Sequence, residues 1–236
     1  TFILLGRTRE AVLPTIVSRC QVVPFRHIPA REAAGILSQK TGVTPEQARI
    51  AIEACNGSIT RAMTFAKSAE RAEFRARIME VLSNLPLSDE RDVLEYAAEL
   101  IERAKAPLDN VRTQQSEELA ESADFLTKTA LKQIELRHKR ALSMATRESL
   151  NQTTSIIRSW LRDVLMIASG TPDLVVNIDQ REVLQRVAQK VTPASIMSAL
   201  REAYKTDETL SYNVSPETCL DVLLFSIREV LNGSGN

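Results

Sequence analysis

A mainly α-helical protein is what this sequence predicts, on three observations. Only 4% of its 236 residues are aromatic and only 7 are Gly, while the strong helix formers Ala, Leu, Glu, Arg and Gln abound. Apolar residues recur at helical spacing over most of the chain, and hydroxyl-proline pairs punctuate it in the manner of helix starts. An all-β fold is excluded on these grounds. Hydrophobic residues at 44% and charged residues at 25% are enough to bury a core, which excludes disorder as the main state.

The first 25 residues depart from that helical pattern. Phe2-Ile3-Leu4-Leu5, ended by Gly6, has the pattern of a strand buried on both faces of a parallel sheet. A second β-like stretch is Gln21-Val22-Val23-Pro24-Phe25. One strand makes no sheet, so residues 1–25 read as the tail of an α/β domain whose other strands lie upstream. Between the two stretches come an Arg7-Thr8-Arg9-Glu10 turn and a short helix that starts at Leu13-Pro14-Thr15-Ile16 and stops at Ser18-Arg19-Cys20.

From residue 26 to 70 the spacing predicts a three-helix unit. Ala33, Ala34 and Leu37 share one face of a helix that ends at Gly42. Thr44-Pro45-Glu46-Gln47 then supplies an N-cap, a proline at the first helical position and a capping-box glutamine. That second helix closes at Asn56-Gly57, and Thr60 to Ala69 makes the third.

From Phe74 onward longer helices are expected, broken at Pro86, near Pro107, at Gly170-Thr171-Pro172, at Thr192-Pro193 and at Ser215-Pro216. Ile156, Ile157, Trp160, Leu161, Val164 and Leu165 form a wide apolar stripe that neighbours must cover. Asp179 with Glu182 is expected to open a helix carrying Val183, Leu184, Val187 and Ala188, and the last helix to bury Leu220, Leu223, Leu224 and Ile227. Residues 71–236 thus read as a helical bundle. Between 110 and 150 large apolar side chains thin out. Glu117, Glu118, Glu121 and Asp124 are followed by Lys128, Lys132, Arg137, Lys139 and Arg140, an order that suits one long, solvated helix protruding from the bundle. A DNA-contacting stripe at Arg137-His138-Lys139-Arg140 is the alternative.

Lys plus Arg (30) equals Asp plus Glu (30), so no global charge drives the chain onto nucleic acid or an anionic membrane. Any DNA contact has to be local or shared with partners. The cysteines Cys20, Cys55 and Cys219 lack zinc-site spacing and read as buried thiols in a reducing compartment. No apolar stretch reaches the ~18 to 20 residues of a membrane span, and a cytoplasmic location is expected. There is no phosphate loop and no paired metal motif, so neither cofactor nor metal is expected. His27 and His138 lie far apart and read as surface or packing histidines.

The order of these features carries a resemblance: apolar strand, turn, Leu-Pro-Thr-Ile helix start, Ser18-Arg19-Cys20, β-like stretch, and a three-helix unit containing Gly57-Ser58-Ile59-Thr60-Arg61-Ala62-Met63. The chain resembles the clamp-loader branch of the AAA+ ATPases, and within it the delta-prime family of bacterial DNA polymerase III. The resemblance implies that residues 1–25 are the end of a nucleotide-binding domain, 26–70 a lid and 71–236 an all-α collar. Ser18-Arg19-Cys20 matches the signature whose arginine is presented in trans to ATP on a neighbouring subunit. Two collar-like stretches, Ile157-Arg158-Ser159-Trp160-Leu161-Arg162-Asp163 and Tyr212-Asn213-Val214-Ser215-Pro216, are similar to delta-prime at lower specificity.

Two departures from the ATP-hydrolysing relatives point to a stator and not a motor. Thr60 stands where they carry a sensor arginine, with Arg61 turned away by the ~100° of one helical residue. Gly6-Arg7 stands where they carry a small polar side chain. No intrinsic activity is then expected of this chain. The implied partners are the tau/gamma and delta subunits through the collar, with the sliding clamp and primed DNA reached through the assembled complex, and no membrane. A lid-collar fragment of the tau/gamma ATPase and a helical protein-interaction scaffold are the alternatives.

Overall fold

In the computed structural model, residues 2–6, 9–26, 28–122, 125–210, 212 and 214–233 are described; Arg7, Thr8, His27, Asp124 and Asn213 lie outside them. All regular structure among these residues is helical. The expected strand at Phe2–Leu5 is a correction: neither it nor the stretch from Gln21 to Phe25 is a strand. Phe2 is 98% and Phe25 91% exposed. A strand exists only through a ladder with a neighbour. No partner strand is present among the described residues, so high β-propensity produces extended chain and nothing more.

Helix α1 (Pro14–Val17) is a single turn with no buried residue. The three-helix unit forms where it is expected, as α2 (Ala30–Thr41), α3 (Pro45–Ala54) and α4 (Ile59–Lys67). The Thr44 capping box closes in both directions: Gln47 N–H donates to Thr44 Oγ1 (3.2 Å) and Thr44 N–H to Gln47 Oε1 (3.1 Å). At the other end of α3, Asn56 (φ 49°) and Gly57 (φ 77°) both enter the left-handed region. That turn lets Gly57 N–H reach the Ile52 carbonyl at 2.9 Å, which ends the helix.

Then follow α5 (Ala69–Asn84), α6 (Glu90–Lys105), α7 (Pro107–Ser122), α8 (Lys128–Ala168), α9 (Arg181–Ala188), α10 (Pro193–Leu210) and α11 (Pro216–Leu231). The spine is α8, whose 41 residues span about 60 Å at 1.5 Å each. Its second half buries the whole stripe from Ile156 to Leu165, with Trp160 fully enclosed. The third, fifth, sixth, ninth and tenth helices all pack on it, and α11 lays Leu220, Leu223, Leu224 and Ile227 into the same core. That core is continuous from Ala33 to Leu231, crossing position 70 without a break.

Two further expectations are corrected. Residues 110–150 are not one helix, because α7 and α8 fold back as an antiparallel pair. Thr127 caps α8 by accepting from Ala130 N–H at 3.3 Å, Glu118 meets His138 at 3.1 Å across the pair, and Ser149 donates to the Ala104 carbonyl at its base. The acidic and basic halves therefore lie side by side and do not complement a shared dipole. Asp179 does not cap α9, which begins at Arg181 with Gln180 as its flanking residue. Its carboxylate is held by Arg75 instead.

Candidate functional site

The Ser18-Arg19-Cys20 turn is built by α1 ending early. Ser18 N–H still donates to Pro14 O (2.9 Å), whereas Arg19 N–H reaches back only to Ile16 O (3.0 Å) and Cys20 N–H to Val17 O (3.2 Å). The tightened turn carries Arg19 out into solvent. Its guanidinium donates to the Thr15 carbonyl at 3.3 Å, beside Ser18 Oγ on the same carbonyl at 3.1 Å, and no carboxylate pairs with it among the described residues. A guanidinium held only through its own turn keeps most of its donors for an external anion. Cys20 is exposed and not buried as expected, because nothing among the described residues covers it; Cys55 and Cys219 are buried. Gly6 and Cys20 both line a mainly apolar hollow of about 370 Å³ formed within residues 4–25. Arg7, its neighbour in the expected sensor pair, lies outside the described residues.

Thr60 is the second residue of α4 and is exposed. Arg61 faces another way. It donates to the Cys55 carbonyl at 3.1 Å and pairs with Glu148 of α8, which fastens the end of α3 to the spine. The structure does not bring Arg19 and Thr60 into contact among the described residues; they are separate exposed points on the N-terminal segment and on α4.

The joint between α3 and α8 is polar. Arg162 donates to Glu53 at 2.6 Å, Arg158 to Asn56 at 2.8 Å, and Gln152 Nε2 to Cys55 Sγ at 3.4 Å. Burial pushes the Cys55 thiol up to about 11, with the Gln152 hydrogen bond working against it. Arg158 also pairs with Asp207 and lies over the Tyr204 ring, 4.8 Å from its centroid. Burial raises the Asp207 carboxyl above its usual range although Thr154 and Arg158 oppose the shift.

Sequence reasoning singled out Asp163 only as the end of a motif; the structure makes it a hub. It is fully enclosed and accepts from Val176 N–H at 3.1 Å and from Asn177 N–H and Nδ2 at 2.7 and 2.8 Å. Asn177 Oδ1 in turn accepts from Arg75 at 2.7 Å, and Arg75 grips Asp179 through two bonds of 2.8 and 2.9 Å. Burial raises the Asp179 carboxyl, but the Arg75 hydrogen bonds and charge outweigh it and hold the group below its ordinary value. The network ties α5, α8 and the 172–180 connection together. Its lone pairs and protons are satisfied internally, so it reads as architecture and not as chemistry. No cluster of metal-ligating side chains occurs among the described residues, and no helix among them is long and apolar enough to cross a membrane.

Residues 116–228 match the protein-family model described as DNA polymerase III, delta subunit, C terminal. The matched stretch runs from the middle of α7 into α11 and so takes in the whole of α8. The match covers a little under half of the chain, and it is this stretch that is similar to the C-terminal part of the DNA polymerase III delta subunit. The Ser18-Arg19-Cys20 turn lies outside it. No curated protein matches the chain.

Proposed function

We propose that this chain is a delta-prime-type, non-motor stator of a bacterial replicative clamp loader. In this reading residues 71–236 are the collar that assembles with tau/gamma and delta, 26–70 are the lid, and 1–25 are the end of a nucleotide-binding domain. Arg19 is the arginine finger, with Ser18 and Cys20 framing it, and acts in trans on ATP held by the neighbouring motor subunit. The family match over the C-terminal half supports the collar assignment. The observation that carries the finger assignment is Arg19 itself, exposed at the end of a one-turn helix with no carboxylate partner among the described residues. The exposed Thr60 supports the stator reading, because its hydroxyl replaces the cation a motor subunit would aim at its own nucleotide.

A planar guanidinium placed on the γ-phosphoryl group stabilises charge as it develops in phosphoryl transfer, and such fingers contribute about 10³ to 10⁵ in turnover. The test is single-turnover ATP hydrolysis by a loader reconstituted with the full-length subunit. With Arg19→Ala, ring assembly should persist while hydrolysis at the adjacent site falls by about three orders of magnitude. Arg19→Lys should fail to restore it, since an ammonium lacks the fork geometry. Wild-type hydrolysis at that site with Ala at position 19 would show the arginine to be structural.

A further inference from the structure

We propose that the outward face of the first half of α8, residues 128–147, is a docking surface for the phosphate backbone of duplex DNA. Six cations stand on this stretch, Lys128, Lys132, Arg137, Lys139, Arg140 and Arg147, all exposed, and none makes an ion pair among the described residues. The inner face is spoken for: Leu131, Ile134, His138, Leu142 and Ala145 are among the partly buried positions, and His138 meets Glu118 there. At about 100° per residue the cations spread over about half of the helix circumference outside that face, the lysines on one flank, beside the exposed Glu135, and the arginines on the other. Leu136 and Ser143 lie between the flanks. A helix is about 10–12 Å across and a major groove about 12 Å wide, so two cationic flanks match the phosphates on its two walls.

The local sequence does not favour this arrangement for folding. Lys128 stands in the first turn of α8, and Glu121 in the last turn of α7, each at the helix end where the dipole disfavours its charge. A placement that opposes local stability is where a functional constraint is expected. Duplex is favoured over single-stranded nucleic acid because residues 128–147 contain no Phe, Tyr or Trp on which unstacked bases could lie. A second copy of the chain is the weaker occupant. The acidic back of α7 offers Glu117 and Glu121, while Glu118 is taken by His138 and Asp109 by Arg112. Two carboxylates do not match six cations, whereas a duplex presents a charge about every 1.7 Å. The inference is independent of Arg19, which lies on a different element.

The test is fluorescence anisotropy of a labelled 30-bp duplex against the full chain over about 50 to 200 mM salt. At about 0.9 per neutralised phosphate, five to six contacts should give a slope of log affinity on log salt near −5. Replacing Lys132, Lys139, Arg140 and Arg147 by Ala should make the slope shallower by about 3.6 and weaken binding more than about tenfold at low salt. The four residues are exposed and Ala favours helix, so the far-ultraviolet circular dichroism should not change. Gln at the same four positions, which keeps the aliphatic stems, should give the same loss. A single strand of equal length should bind more weakly. The proposal is overturned by an unchanged slope in either quadruple variant, by tighter single-strand binding, or by no duplex binding at low salt. It is equally overturned if sedimentation shows a self-association that Glu117→Ala with Glu121→Ala abolishes while duplex binding is absent.

Discussion

Asp163→Ala removes the acceptor of a fully enclosed site without touching any surface. Two backbone donors, Val176 N–H and Asn177 N–H, then lose their partner in a place where their residues are only 7% and 2% exposed, and the Asn177 side-chain amide keeps only its bond to Ser159 Oγ at 2.9 Å. An unsatisfied buried donor costs about 1–3 kcal/mol, so two to three of them amount to roughly 3–6 kcal/mol, moderated where water enters the vacated volume. That is a large part of the ~5–15 kcal/mol that holds a domain folded. The loss should spread, because Asn177 also orients Arg75 toward Asp179. Urea unfolding followed by the fluorescence of Trp160, the only tryptophan and fully buried one turn before Asp163, reports on this region directly. Asp163→Asn keeps one acceptor and turns an amino group toward the remaining donors, so it should fall between wild type and Ala. A loss under about 1 kcal/mol for Asp163→Ala, with the urea slope unchanged, would refute the hub and the bookkeeping behind it.

The remaining predictions concern pH and thiols. Lys105, at 2.8 Å, and then Ser215, at 2.7 Å, hydrogen-bond the Glu217 carboxylate and hold its pKa down to about 2. A depressed carboxyl contributes stability that is present above its unfolded value, near 4.3, and is lost as pH falls from there through about 2. Glu217→Gln should therefore be less stable than wild type at neutral pH, and the difference should shrink steadily as pH falls from about 4.3 toward 2. The side chains are 34% and 52% exposed, so solvent screening keeps the difference within about 1 kcal/mol. A difference that persists undiminished to pH 2 would show the cause to be something other than ionisation. Of the three cysteines only Cys20 is exposed, and burial raises the Cys55 and Cys219 thiols. A thiol-disulfide probe at mildly alkaline pH should thus titrate one thiol rapidly in the native protein and three in denaturant; two fast thiols would contradict the burial of Cys55 or Cys219.

What the sequence determined by itself is whatever is decided within one or two turns of chain. The capping box at Thr44, the left-handed exit at Asn56-Gly57, the Ser215-Pro216 start of α11 and the apolar stripe of α8 were legible because each depends on neighbours a few residues away. The candidate site was legible to the same extent: the Ser18-Arg19-Cys20 order marks a helix that stops, and a stopped helix exposes its last arginine. Tertiary structure decided the rest. The 110–150 segment carries charge suited to one helix, yet it folds back because His138 and its apolar neighbours need the face of α7, a contact that periodicity in one window does not contain. Asp179 has the chemistry of a cap, but Arg75, 104 residues earlier, competes for it through two charged bonds. Asp163 is a hub only because Val176 and Asn177 arrive with N–H groups that water cannot reach. The apolar run at Phe2–Leu5 shows the same rule from the other side: a helix closes its hydrogen bonds within its own segment, whereas a strand takes its partner from elsewhere, and without that partner the propensity has nothing to act on.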